Sequence, residues 1–168
     1  VAAGADLSLN KNLGAIDTYQ IIGKTLTGIP VLEATAIGDD PNNGNGEGAA
    51  QAVDGGALTE DEPPHLTKYL NFDTTDVGLL ADFGSEKQIQ CFRITTANDS
   101  AGRDPAAYVV YGSNDKSNFE LIASGSLNLP DARDTQADYV GFENTASYRY
   151  YKLIFPTIKN PFGENCMQ

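Results

Sequence analysis

The sequence predicts an all-β fold, built as an antiparallel β-sandwich or a jelly roll. From residue 77 onward, six short runs rich in Val, Ile, Tyr and Phe recur with turn-forming residues between them. No amphipathic segment of helix length interrupts this series. The predicted strands are 77–83, 89–95, 106–112, 119–125, 137–142 and 148–155.

The alternation of side chains along a strand assigns each residue to one of its two faces. In the strand at 89–95, Phe92 and Ile94 are expected to face the core, which leaves Cys91 on the polar side. In the strand at 148–155, Tyr151 and Phe155 share one face. We expect the aromatic side chains of these strands to serve core and cross-strand packing.

The chain divides into a short N-terminal segment, residues 1–28, and one domain, residues 29–168. The role of the first segment is open, and its stretch 16–26 fits a short helix or a strand equally well. Residues 38–66 are rich in Gly, Asn, Asp, Glu and Pro, which predicts a long loop. Loops of this length in a compact domain are usually functional, metal-bound or insertions.

The charge of the chain excludes two classes of partner. A net charge of −12 argues against nucleic acid and against an anionic membrane surface, since both need clustered Lys and Arg. No apolar run reaches the length of a membrane span. The composition fits a secreted protein or one that binds cations. The two cysteines, Cys91 and Cys166, are compatible with one disulfide or with two free thiols.

The sequence contains no recognisable catalytic constellation. The single histidine, His65, follows Pro63 and Pro64 in a polar loop, where a side chain is usually solvated. No G-x-S-x-G elbow and no glycine-rich phosphate loop are present. With 23 acidic residues, adjacent carboxylates arise by chance, and none has the apolar setting that a general acid needs. We therefore expect binding rather than catalysis.

Four segments together resemble a known superfamily. AAQAVDGG, LTKYLNF, FRITTANDSAGRDPAAYVVYGSND and YRYYKLIF occur in this order. They resemble the galactose-binding-like β-sandwich of the discoidin, or F5/8 type C, superfamily, which includes the family 32 carbohydrate-binding modules. The resemblance covers roughly residues 48–168. It implies a jelly roll of eight strands without catalytic activity, whose loops at one end bind a carbohydrate.

The resemblance also implies a structural Ca²⁺ in the loop before the TKYLNF strand. Carried over onto this sequence, its ligands are the Asp54 carboxylate, the carbonyls of Gln51 and Gly56, and both the carbonyl and hydroxyl of Thr67. Oxygen donors of this kind on a glycine-rich turn are what Ca²⁺ prefers. The loop here is longer than in the family and adds acids at 60–62. The alternative is a solvated acidic turn.

The candidate sugar contacts lie in the loop before the strand at 106–112. Asn98, Asp99 and Arg103 offer planar polar groups that select hydroxyl stereochemistry. Sugar recognition also uses an aromatic ring, and since the chain has no Trp, a Tyr or Phe such as Tyr69 has to supply it. His65 is a further candidate contact. The alternative is that the polar loop residues only fix the shape of the loop.

Two functions compete at this stage. One is a secreted or cell-surface carbohydrate-binding module. The other is a structural or adhesive subunit of an extracellular assembly or filament. In the family a further strand follows a segment like NCMQ, which here occupies 165–168. That strand is expected to be absent, disordered or supplied from elsewhere, and an open sheet edge favours self-association.

Overall fold

The structure, a computed structural model, describes residues 29–43, 45–54 and 68–168. These residues form seven strands and short 3₁₀ turns, which confirms the all-β prediction. None of the helices among them is long and apolar enough to cross a membrane. The strands are Glu33–Ile37 (β1), Val77–Lys87 (β2), Cys91–Phe92 (β3), Ala107–Ser113 (β4), Glu120–Ser126 (β5), Val140–Gly141 (β6) and Tyr148–Phe155 (β7).

Five strands form a large antiparallel sheet in the order β1-β2-β7-β4-β5, and β3 pairs with β6 in a small second sheet. β7 has the limits that the sequence predicts. The predicted strands 89–95 and 137–142 shrink to two residues each, because their further pairing consists of single contacts such as the bridge between Thr95 and Gln136. β1 was not predicted, and residues 1–28 lie outside the described residues.

The core lies between the two sheets. The large sheet contributes Tyr108, Val110, Tyr151 and Phe155, which are all buried. From the small sheet, the ring of Phe92 meets the ring of Tyr108 edge to face, with 5.2 Å between the ring centroids. Such aromatic pairs add about 0.5–1.5 kcal/mol beyond the area they bury. The core face predicted for the strand at 89–95 is therefore confirmed, since Phe92 and Ile94 pack against the core.

Neither cysteine is in a disulfide. Cys91 is half-buried and Cys166 is buried, and burial raises the pKa of both thiols. The alternative of two free thiols therefore holds. The segment that contains Cys166 returns to the domain, where Met167 and Asn71 form an isolated antiparallel bridge with two backbone hydrogen bonds of 2.8 Å.

Candidate functional site

The loops that carry the candidate site connect the strands at one end of the large sheet. The register pairs Ile37 with Gly78 and Val77 with Phe155, so β1 ends, β2 begins and β7 ends there. β4 begins and β5 ends at the same end, because β4 pairs antiparallel with both β7 and β5. We call this end of the large sheet, with the described loop residues 38–43, 45–54, 68–76, 95–106, 127–136 and 156–168, the loop end.

Lys68 joins two of these loops. Its ammonium group donates to Asn98 Oδ1 at 3.2 Å and to Asp99 Oδ2 at 3.1 Å. Glu47 Oε1 lies 3.5 Å from the same nitrogen. Lys68 thus brings two of the predicted sugar contacts to the acidic loop that follows β1.

Arg103 extends this arrangement across the next loop. Its Nη1 donates to Asp99 at 3.2 Å, and its Nε donates to Glu164 at 2.9 Å. Glu164 also accepts a short hydrogen bond from the Ser100 hydroxyl. The backbone approaches closely here, since a Cβ on Gly102 would lie 3.1 Å from the Glu164 side chain. The result is a partly exposed charge row formed by Glu47, Lys68, Asp99, Arg103 and Glu164.

The electrostatics of the charge row favour binding over proton transfer. The Ser100 hydroxyl and the Arg103 guanidinium lower the pKa of Glu164. The hydrogen bond to Glu164 raises the pKa of Arg103. A general acid in glycoside cleavage needs a raised carboxyl pKa, which is the opposite shift. Glu164 therefore stays ionised and accepts hydrogen bonds, as a hydroxyl-binding carboxylate does.

An exposed aromatic residue lies close in sequence to a member of the charge row. Phe162 lies in the turn between Pro161 and Gly163. Its accessible surface is 101% of the reference value for a fully exposed phenylalanine. It is two residues from Glu164, so their Cα atoms are at most about 7 Å apart. A fully exposed Phe gains nothing from folding, whereas it offers an apolar face to a ligand.

The ring proposed from the sequence, Tyr69, is buried instead. It is 6% exposed and belongs to the core. Its hydroxyl donates to the Gly78 carbonyl at 2.8 Å and accepts from Asn71 Nδ2 at 2.7 Å. This side chain has no open face for a sugar. His65, the other proposed contact, lies outside the described residues.

The buried hydroxyl of Tyr69 predicts an alkaline loss of stability. Burial raises the pKa of Tyr69 to about 12, whereas an unfolded tyrosine ionises near 10. Between these values the unfolded state releases a proton that the folded state keeps, so the free energy of unfolding falls as the pH rises. Urea unfolding from pH 9 to 12 should show a shallower fall in Tyr69→Phe. Tyr139→Phe, which alters an exposed ring, is the control, and equal slopes in wild type and Tyr69→Phe would contradict the prediction.

The proposed calcium ligands are only partly within the described residues. Gln51 lies in the 3₁₀ turn Ala49–Ala52, with its side chain accepting from the Gly48 amide at 2.9 Å, and Asp54 follows on the surface. Gly56 and Thr67 are outside the described part. No cluster of three or more His, Cys, Asp or Glu suited to a metal occurs in that part. One observation fits a cation: Asp40 Oδ1 is buried without a hydrogen-bond partner.

Sequence reasoning missed three members of the site. Lys68 stands in the segment LTKYLNF, where the sequence indicated roles only for its neighbours Thr67 and Tyr69. Glu164 meets Arg103 over 61 positions of sequence, and no local pattern encodes such a pairing. Phe162 did leave a signal, because a large ring between proline and glycine in a turn cannot be placed in a strand face.

A β-sandwich that gathers charged groups and an exposed ring on the loops of one end has the architecture of a binding module. Residues 33–166 match the model of the F5/8 type C domain, and the chain belongs to this family. No curated protein matches the chain.

Solved structures show the same fold at low sequence identity. The module CpGH89CBM32-5 of Clostridium perfringens, in complex with GalNAc-β-1,3-galactose, is 20% identical with a TM-score of 0.60, over 80% of this chain and 88% of that one. The family 32 module of C. perfringens NanJ, in complex with galactose, is 15% identical with a TM-score of 0.58, over 80% and 86%. The AlyQ module, in complex with 4,5-unsaturated mannuronic acid, is 16% identical with a TM-score of 0.54, over 82% and 88%.

Proposed function

We propose that this chain is a non-catalytic carbohydrate-binding module whose sugar site is the loop end. The ring of Phe162 stacks on the apolar face of one sugar residue. The groups of Asp99 and Arg103 bind its hydroxyls, with Asn98 and Lys68 at the margin. The observation that carries the proposal is the fully exposed Phe162 beside the charge row.

The physical basis is that the aromatic ring and the charged groups make different kinds of contact with a sugar. Stacking on an aromatic face supplies apolar contact, and planar charged groups supply directional hydrogen bonds. Lys68 and Glu164 hold Asp99 and Arg103 in place before any ligand arrives. Preorganisation of this kind reduces the entropy lost on binding. The three similar structures described above each contain a bound saccharide, which supports the same ligand class here.

The test of the proposal is a thermal unfolding series with those saccharides. Galactose, GalNAc-β-1,3-galactose and 4,5-unsaturated mannuronic acid are added in turn, followed by a glycan array. A sugar that binds only the folded state at 100 times its dissociation constant stabilises the fold by about 2.7 kcal/mol. A stabilising sugar without turnover supports the proposal, whereas the absence of any retained glycan, or release of a cleaved product, contradicts it.

The same proposal includes a structural Ca²⁺ held by Asp54 and the Gln51 carbonyl, with Gly56 and Thr67 as further ligands. The buried oxygen of Asp40, which has no hydrogen-bond partner, supports a cation in this region. The charge of Asp40 contributes to the raised pKa of Tyr69, and Tyr69 is two positions beyond the proposed ligand Thr67 in the sequence. EDTA is expected to lower the midpoint of thermal unfolding, and Ca²⁺ in excess to restore it. Asp54→Asn should remove this response, and an unchanged midpoint in EDTA contradicts the site.

In this proposal the module works outside the cell, on a secreted or surface-attached protein. Modules of this class are typically extracellular or surface-attached, and an acidic chain of net charge −12 fits that setting. Fractionation of the native host with an antibody against the domain tests this placement. Recovery of the protein solely from the cytosol contradicts it.

A second candidate function is self-association through the edge strand β5. β5 is an outer strand of the large sheet, and its Leu121 is 63% exposed. An exposed strand edge with an apolar side chain invites pairing with another strand. Light scattering during size-exclusion chromatography measures the assembly at protein concentrations from about 1 to 100 µM. This range is chosen because weak interfaces have roughly micromolar dissociation constants. A mass that stays monomeric contradicts this candidate.

A further inference from the structure

A second surface of the domain carries features that the sugar site leaves unexplained. It lies on the outer face of the large sheet, toward the strand ends that are opposite to the loop end. Two strand residues, Tyr150 and Lys152, alternate with the buried Tyr151 and therefore point away from the core. The hairpin between β4 and β5 adds Lys116 and Phe119 beside them. We call the set Lys116, Phe119, Arg149, Tyr150 and Lys152 the cation–aromatic patch.

The cations of the patch are held over aromatic rings. The Lys152 ammonium lies 3.8 Å from the centroid of the Phe119 ring. The Tyr150 ring contacts the Arg149 guanidinium at 4.9 Å and the Lys116 ammonium at 5.7 Å. An ammonium group over a ring is attracted by the ring quadrupole and keeps donors directed to solvent. The patch therefore fixes two positive charges without consuming their hydrogen bonds.

Four of the nine cations in the described residues, Lys87, Arg93, Lys116 and Lys152, are in no ion pair, and Lys116 and Lys152 are the two of these that lie over rings of the patch. Lys68, Arg103, Arg133, Arg149 and Lys159 are each in an ion pair with a carboxylate. Within the described ranges, Lys116 and Lys152 have no carboxylate at ion-pair distance. The acids around the patch are bound by other groups: Asp82 by Arg149, Glu120 by the Tyr148 hydroxyl at 2.7 Å, and Asp115 by amides of its own turn. In a chain of net charge −12, two unpaired lysines on one face form a local anion-binding point.

The hairpin holds Lys116 in an uncommon backbone conformation. Its φ is +63°, in the left-handed region that Gly and Asn favour and Lys rarely adopts. The Asp115 carboxylate fixes the turn by accepting from the amides of Ser117 at 2.8 Å and Asn118 at 2.7 Å. Asn114 ties the turn to β7 by accepting from the Arg149 amide at 2.7 Å. Strained positions that the surroundings over-determine occur preferentially at functional sites.

We propose that the cation–aromatic patch is a second binding surface, separate from the loop end, which takes an anionic polysaccharide. Lys116 and Lys152 contact its carboxylate or sulfate groups. An open sheet face suits an extended chain better than a small molecule, which needs a concave site. The overall charge of −12 disfavours nucleic acid, because two cations would neutralise few of its closely spaced phosphates.

The test compares dextran sulfate with uncharged dextran, and adds polygalacturonate as a carboxylate polymer. Affinity electrophoresis of the whole domain at low salt should show retardation by at least one of the charged polymers and none by dextran. Lys116→Gly combined with Lys152→Gln should weaken binding by at least about tenfold, since two charge-assisted contacts are lost. Glycine adopts a positive φ without strain, so Lys116→Gly preserves the turn.

The matched control is Lys87→Gln combined with Arg93→Gln, which removes two positive charges that also lack a carboxylate partner but do not lie over the rings of Phe119 and Tyr150. It should bind dextran sulfate as the wild type does, and so should Phe162→Ala. Binding that survives the loss of Lys116 and Lys152, or that falls equally in the control, overturns the proposal. Equal retardation by single-stranded DNA, or no retardation by either charged polymer, overturns it as well. Because neutral sugars report on Phe162 alone, failure of this surface is distinguishable from failure of the loop-end site.

Discussion

Asp104→Ala is expected to lower the free energy of unfolding by about 3–5 kcal/mol, the range for breaking a buried ion pair by removing one partner. The Asp104 side chain is 1% exposed. It accepts two hydrogen bonds from Arg133, at 2.8 and 2.7 Å, and one from Lys159 at 3.1 Å. Alanine would leave both cations without this carboxylate. We expect the midpoint of urea unfolding to fall with its slope unchanged.

Two further variants separate charge from packing and from surface contacts. Asp104→Asn keeps the shape but loses the charge, so it should fall between wild type and alanine. Asp131→Asn removes the other carboxylate that pairs with Lys159. Asp131 is 88% exposed, so this variant should destabilise the protein much less than Asp104→Asn. If Asp131→Asn and Asp104→Asn destabilise the protein equally, burial is not the reason for the contribution of Asp104 to the free energy of unfolding.

Asp104 also explains why the loop end keeps its shape. Through Arg133 and Lys159 it joins three loops that leave different strands of the large sheet. Its neighbour Arg103 belongs to the charge row, and the Lys159 amide donates to the Asp104 carbonyl at 2.9 Å. The sequence analysis assigned the residues around Arg103 either to loop shape or to ligand contact. Asp104 is buried and fixes the shape of the loops, whereas ligand contact by the adjacent Arg103 stays a prediction.

The sequence predicted the strands best where pairing is regular. β7 lies between β2 and β4, so its apolar alternation is complete and its limits are readable. β3 and β6 pair over two residues only, and their apolar runs continue as irregular loops that still pack Ile94 and Ala137 against the core. β1 was missed because it is an edge strand of small and polar residues, EATAI. Hydrophobic patterns report burial, whereas ladder length depends on a partner elsewhere in the chain.

The site was predictable only in part, for a similar reason. Asn98, Asp99 and Arg103 lie within six positions of one loop, so local composition located them together. Lys68 and Glu164 reach them from 31 and 61 positions away, and only the fold defines those contacts.

Phe162→Ala is expected to weaken sugar binding by about 30-fold or more, which corresponds to the loss of about 2 kcal/mol typical of a central aromatic contact. The ring is fully exposed, and Phe162 lies two positions before Glu164, the carboxylate that binds Arg103. Its removal takes away the stacking surface and leaves the charge row in place. Isothermal titration with the sugar that stabilises the wild type most measures the change.

The same substitution should leave the fold unaffected, because an exposed side chain contributes about 0.5 kcal/mol or less to stability. Tyr139→Ala, which removes an exposed ring next to β6, is the matched control and should bind sugar as the wild type does. Phe162→Tyr should retain binding, since the stacking face persists. Unchanged affinity in Phe162→Ala would move the sugar away from this turn. Equal losses in Phe162→Ala and Tyr139→Ala would instead indicate a general effect of removing surface rings, and would leave the loop end without the observation that carries its proposed function.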